Sequence, residues 1–177
     1  MPNTAREAAA TPPRKVYLGL GSNLGDRDGL LRAALARLRA VVALDRVSSV
    51  YDTAPLLVTE QPRFHNLVAS GWTTLEPLAL LAQTQATERA LGRVAAVRYG
   101  PRAIDIDLLF YDDLAYTSAA LTLPHPRIAE RAFVLAPLAE IAPRRRLPVL
   151  GETAAHLLRA LGPADVHRLG PLLAPAG

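Results

Sequence analysis

The chain has 177 residues, half of them hydrophobic, enough for one domain with a sizeable core and too few for two comfortable ones. There is no cysteine, which excludes disulfides, thiolate metal sites and a cysteine nucleophile and suits a reducing cytoplasm. A formal net charge of +4, carried mostly by arginine, suits an anionic ligand without requiring a nucleic-acid surface.

Residues 1–13 combine Ala, Thr and Pro with Arg6 and Glu7. They read as a flexible tail, not a secretory signal, because no apolar run is present. No stretch is long and apolar enough to span a bilayer. Residues 15–20 read as a short buried strand, and Gly21, Ser22, Asn23, Leu24, Gly25 and Asp26 as a turn into a helix. The glycine spacing does not match a dinucleotide or P-loop fingerprint. Leu31, Leu35, Leu38 and Val42 recur at helical spacing, with Arg32 and Arg39 off the stripe. A second strand is expected over 46–51 and a third over 64–73. Between them lies a long connection with Pro55 and Pro62, a candidate functional loop.

Pro77 suits a first helical turn. Leu80, Thr84, Thr87 and Leu91 form the stripe of a second helix, which Gly92 ends. Gln85 and Glu88 are three apart and share one side of it.

The most informative run is Arg98, Tyr99, Gly100, Pro101, Arg102, Ala103, Ile104, Asp105, Ile106, Asp107, Leu108, Leu109, Phe110. Its second half is a strand with Ile104, Ile106 and Leu108 on one parity. Asp105 and Asp107 take the other, so both carboxylates leave the same face. Two neighbouring acids on a buried strand repel each other and resist desolvation. A divalent cation such as Mg²⁺ answers both objections and leaves positions for phosphate. Arg98 and Arg102 supply charge for a polyphosphate. An Arg/Asp network that only holds a loop is the plainer alternative.

This run resembles the signature of the 6-hydroxymethyl-7,8-dihydropterin pyrophosphokinases of folate biosynthesis. The opening Gly-Ser-Asn-Leu turn is a second point of resemblance. The resemblance implies Mg²⁺-dependent transfer of the diphosphate of ATP to the hydroxymethyl group of the dihydropterin, releasing AMP. It implies two Mg²⁺ ions on Asp105 and Asp107, and catalytic roles for Arg93, Arg102, Asp105 and Asp107. ATP contacts fall to Gln85, Glu88, Arg93, Arg98, Arg102, Leu108, Thr122, His125 and Arg131. Pterin contacts fall to Thr53, Leu56, Phe64, Asn66 and Phe133, with the ring between the two phenyl groups. Ala54, Ala95, Tyr99 and Ala120 depart from residues common in the family.

Residues 132–141 are apolar and helical at first. Arg144, Arg145 and Arg146 read as a solvated loop, 154–161 as a small helix and 170–177 as a frayed end. The order strand, helix, strand, strand, helix, strand is the split βαβ pattern of ferredoxin-like folds. The expectation is an α+β fold with a mainly antiparallel sheet, both long helices on one face and additional C-terminal elements. One domain would span 14–165, with a tail over 166–177. The chain would be a cytoplasmic monomer without nucleic-acid or membrane partners. RNA-binding modules share the pattern, but no run of aromatics interleaved with basic residues supports that reading. Another metal-dependent nucleotidyl or phosphoryl transferase, or a non-catalytic module, remains an alternative.

Overall fold

The computed structural model describes residues 11–55, 60–93 and 100–172. Strand β1, Arg14–Ser22, carries Val16, Leu18 and Leu20 on one face and is longer at both ends than expected. Asp26, not Asn23, caps helix α1, Arg27–Leu38, by accepting the Gly29 N–H. Leu31, Ala34, Leu35 and Leu38 are its buried stripe.

The strand expected over 46–51 is two strands, β2 (Ala43–Val47) and β3 (Val50–Thr53). Ser48 and Ser49 interrupt it, and both are buried. Ser48 Oγ donates to Ser49 O and accepts the Val68 N–H, so a side chain stands in for part of the ladder. Strand β4, Phe64–Thr73, has the expected span. Helix α2, Pro77–Ala90, starts on its proline and gives way to Gly92 at φ 89°, the left-handed conformation that glycine adopts without strain.

Strand β5, Asp105–Tyr111, follows. Short strands β6 (Tyr116–Thr117) and β7 (Thr122–Leu123) pair with each other. A 3₁₀ turn, Ile128–Glu130, leads into helix α3, Ala132–Ile141. Helix α4, Ala154–Leu161, has the expected bounds. Arg145, expected in a solvated loop, is held by Asp113 at 2.7 Å and lies over the Phe110 ring.

The chain does not end its ordered fold at 165. Val166–Gly170 form strand β8, paired antiparallel with β3, where a tail was expected. Arg63 grips Asp165 through two bonds of 2.8 Å at its start, and Arg168 reaches Glu140 on α3. These long-range anchors outweigh the weak strand pattern of a short, exposed segment.

The sheet order is β5-β1-β4-β3-β8, with β2 also on β4, and the pairings of the described residues are all antiparallel. Counting β2 and β3 as one broken strand, the order is fourth, first, third, second. That is the expected ferredoxin-like arrangement. Alternation along the strands divides the core between the two faces. Leu18, Leu20, Ile106 and Leu108 pack with α1 and α2. Tyr17, Val68, Leu109 and Phe110 pack with α3 and α4. A bulge shifts the β1–β5 register, since Tyr17 faces Phe110 while Leu18 faces Leu108. Leu109 is the extra residue, so Phe110 turns to the α3 side and stacks on Tyr17 at 4.2 Å.

Candidate active site

The α3 face of the sheet opens at one end into a cleft of about 840 Å³, its mouth included. Asp105 and Asp107 line it from β5, as their shared parity requires. Gly19 and Gly21 form the adjoining floor on β1. A Cβ at Gly21 would collide with Asn66 Oδ1, so glycine is what leaves room for the Asn66 amide beside β1. Phe64 and Asn66 come from β4, Thr53 from β3, and Arg131 and Phe133 from the start of α3. Asn66 Nδ2 donates to Thr53 Oγ1 at 2.7 Å, so these two act as one polar unit.

Each acid meets arginine. Asp105 Oδ1 accepts from Arg93 at 2.7 Å and Oδ2 from Arg102 at 2.6 Å. Asp107 Oδ2 accepts from Arg131 at 2.9 Å, with His125 Nε2 4.0 Å away. Arg93 also pairs with Glu88, which is only 5 % exposed beneath β5. Glu88 Oε1 accepts the N–H of Ile106, the residue between the two acids, at 2.7 Å. Burial pushes Glu88 up to about 7, against the pull of that N–H and of Arg93. Asp107 is raised above the carboxylate range, first by burial and then by the Asp105 charge; His125 and Arg131 oppose this. Its side chain is a third exposed, but only to a cleft walled by protein. Burial holds His125 below its ordinary value. Its Nδ1 accepts the Arg127 N–H at 3.1 Å, which assigns the ring proton of the neutral form to Nε2.

The donor set suits Mg²⁺. Two hard carboxylates share one face, and burial and mutual repulsion both favour a cation between them. Among the described residues no cluster of three His, Cys, Asp or Glu is arranged to hold a metal. The remaining coordination positions would therefore belong to phosphate and water.

The cleft thus brings together Thr53, Phe64, Asn66, Arg102, Asp105, Asp107, Arg131 and Phe133 of the expected residues. Arg93, Glu88 and His125 adjoin it through the contacts above. Gln85 is exposed on α2, and Thr122 on β7 is not part of the lining. The Leu108 side chain is buried among the residues that pack with α1 and α2, because its parity is opposite to that of the acids. Only its backbone could reach a ligand. Leu56 and Arg98, and the departures Ala95 and Tyr99, lie outside the described residues.

Gly19, Gly21, Asn23, Gln61 and Arg127 were not singled out as site residues. Gly19 and Gly21 could have been, since they alternate with Leu18 and Leu20 and so leave one strand face bare. The sequence places Asn23 in a turn. It is 1 % exposed, and its amide donates to Gln61 Oε1 and Pro62 O while accepting the Arg102 N–H. No local pattern signals bonds of that range.

Comparison with known proteins identifies the family of the chain. The family model described as 7,8-dihydro-6-hydroxymethylpterin-pyrophosphokinase (HPPK) matches residues 17–143. The chain is 46 % identical over 127 residues to 2-amino-4-hydroxy-6-hydroxymethyldihydropteridine pyrophosphokinase of Bacillus subtilis (strain 168), covering 71 % of this chain and 76 % of that one. It is 43 % identical over 157 residues to the protein of the same name from Methylorubrum extorquens, covering 88 % and 98 %. The mitochondrial folate synthesis bifunctional protein of Arabidopsis thaliana is 44 % identical over 128 residues, of which the chain spans 23 %. Among solved structures, Plasmodium falciparum HPPK-DHPS wild type with pterin and p-hydroxybenzoate superposes with a TM-score of 0.69 at 16 % identity. That match covers 86 % of this chain and 42 % of that one, and shows the shared fold. A family match over most of the chain and relatives above 40 % identity lead to one conclusion: this chain belongs to the 7,8-dihydro-6-hydroxymethylpterin-pyrophosphokinase family.

Proposed function

We propose that the chain transfers the diphosphate of ATP to the hydroxymethyl group of 6-hydroxymethyl-7,8-dihydropterin, giving the pterin diphosphate and AMP. The observation that carries this reading is one cleft with two halves. Phe64, Asn66, Thr53 and Phe133 offer two aromatic faces and a polar edge for a flat heterocycle. Asp105, Asp107, Arg102 and Arg131 offer acids and guanidinium groups for a metal-bound polyphosphate.

Asp105 and Asp107 would hold Mg²⁺, two ions by this reading, and the metal would supply neutralisation of charge on the phosphate oxygens. Arg93, Arg102 and Arg131 already face these acids and would turn their remaining donors to the phosphates. His125 would donate from Nε2 to a phosphate oxygen. Phe64 and Phe133 would clamp the pterin and aim its hydroxyl oxygen at the β-phosphorus, with positioning supplying much of the rate. The hydroxyl proton would leave to the bound phosphate or to Asp107. Gln85, Thr122, Arg98 and Leu56 complete the proposed ATP and pterin contacts. No helix of the described residues is long and apolar enough to cross a membrane. The reading takes the chain as a monomer acting in the cytoplasm.

Incubation with ATP, Mg²⁺ and the dihydropterin tests it. AMP and the pterin diphosphate should appear together in equal amounts, and neither should form when Mg²⁺ is chelated. Release of ADP or free pyrophosphate instead would assign the cleft to a different phosphoryl or nucleotidyl transfer.

A further inference from the structure

Three separate stretches of chain meet at Asn23. Its own stretch is the end of β1, whose Gly19 and Gly21 floor the cleft. The second is Gln61–Pro62, which runs directly into Phe64. The third is the segment through Arg102 that leads into Asp105. Asn23 Nδ2 donates to Gln61 Oε1 and to Pro62 O, each at 3.0 Å. Asn23 Oδ1 accepts the Arg102 N–H at 2.8 Å, and the Asn23 N–H donates to Arg102 O at 3.2 Å. Gln61 and Arg102 themselves line the cleft, one on each side of this amide.

We propose that Asn23 is a positioning residue that couples the two halves of the cleft. The stretch carrying Phe64 and the stretch carrying Arg102 and Asp105 share no strand pairing, since β4 and β5 lie on opposite sides of β1. A buried amide bonded to both makes the position of one depend on the position of the other. A ligand that settles Phe64 and Gln61 thereby settles the Arg102 backbone, and with it the guanidinium on Asp105. Coupling of this kind is reciprocal: whatever the aromatic side does for the phosphate side, the phosphate side returns. The identity of the two ligands rests on the function proposed above.

The test is calorimetric titration of the intact chain with 6-hydroxymethyl-7,8-dihydropterin, with and without saturating Mg²⁺ and a non-hydrolysable ATP analogue. In the native chain each ligand should tighten the other by a factor in the usual range for coupled sites, about 5- to 150-fold. Asn23→Ala removes every side-chain link and should bring the factor to near unity, with each ligand's affinity alone changing less than the coupling. Gln61→Met keeps the length of the side chain but offers no oxygen, and should lower the factor part of the way because Pro62 O still accepts. Gln61→Glu restores an oxygen acceptor and should recover the native factor. Because Gln61→Met leaves Asn23 in place, it decides the matter even if Asn23→Ala does not fold. Undiminished coupling in Gln61→Met overturns the proposal, and so does a native chain that binds the two ligands independently. Failure of the proposed function would look different, as a native chain that makes no AMP.

Discussion

Glu88 Oε1 accepts the Ile106 N–H at 2.7 Å, at the one residue that separates Asp105 from Asp107. The same oxygen meets Arg93, which in turn reaches Asp105. One buried carboxyl on α2 therefore sets both the strand that carries the acids and the arginine beside them. Glu88→Ala would leave a buried N–H without its acceptor, at a cost of about 1–3 kcal/mol. Glu88→Gln keeps an oxygen for Ile106 and should recover most of that stability, but not the charge that holds Arg93. Urea denaturation measures the first effect, and turnover at saturating ATP the second. An alanine variant as stable as the native chain would show that Glu88 does not hold the Ile106 N–H in solution.

Gly21 faces Asn66 with no room for a methyl group. Gly21→Ala must push the Asn66 amide away from Thr53 or tilt the strand, an overpacking worth about 1–3 kcal/mol. Binding of the dihydropterin should therefore weaken about tenfold or more, while the affinity for Mg²⁺ and the ATP analogue changes little. Equal losses for both ligands would mean that the strain spreads through β1 instead of staying at the aromatic side.

Strong local patterns were the ones readable in the sequence. The span of β4, the bounds of α4 and the shared face of Asp105 and Asp107 all follow from alternation or helical spacing. What was not readable depends on partners far along the chain. Gln85 and Glu88 lie on one side of α2, yet Gln85 is exposed and Glu88 is buried, because only Glu88 lies under the Ile106 N–H. β8 is short and exposed, and its place is set by β3, Arg63 and Glu140. The bulge at Leu109 and the interruption at Ser48 and Ser49 obey no composition rule, since each is one residue of register or one side-chain bond. Asn23 lies in the connection from β1 to α1 as its sequence suggests, but a plain turn asparagine and one that also links distant stretches look alike until those stretches are brought together.

Asp107 sits where burial and Asp105 both oppose its charge, and Arg131 and His125 favour it. Asp107→Ala removes a proposed metal ligand and frees Arg131 from its carboxylate. Loss of one such charged contact in a closed site costs roughly 2.7–4 kcal/mol, or two to three decades in rate. Mg²⁺-dependent turnover should fall at least that far. Pterin binding should survive, since Phe64, Asn66 and Phe133 are untouched; its fluorescence on titration gives the comparison. Turnover near the native rate would remove Asp107 from the mechanism.

Glu140 ties α3 to the sheet and so holds the helix that carries Phe133. It accepts from Tyr51 OH at 2.9 Å, from Ser49 Oγ at 2.9 Å and from Arg168 at 3.3 Å. Burial resists its charge, but these hydrogen bonds outweigh burial and hold its carboxyl below the usual range. Burial, then the bond to Glu140 and the charge on it, push Tyr51 from 10.0 up to about 12. A raised tyrosine pKa favours the protonated phenol in the fold. Its contribution to stability is complete below the ordinary value and disappears as pH rises toward about 12. Glu140 acts in the other direction: its contribution is complete at neutral pH and is lost as pH falls through its lowered value. The tyrosinate absorbance of the folded chain should therefore contain a component rising near 12. Tyr51→Phe should lack that component and lose less stability than the native chain as pH is raised above 10.0. A Tyr51 that titrates with the exposed tyrosines, or a variant with the native alkaline profile, would mean that the Tyr51–Glu140 bond does not persist in solution.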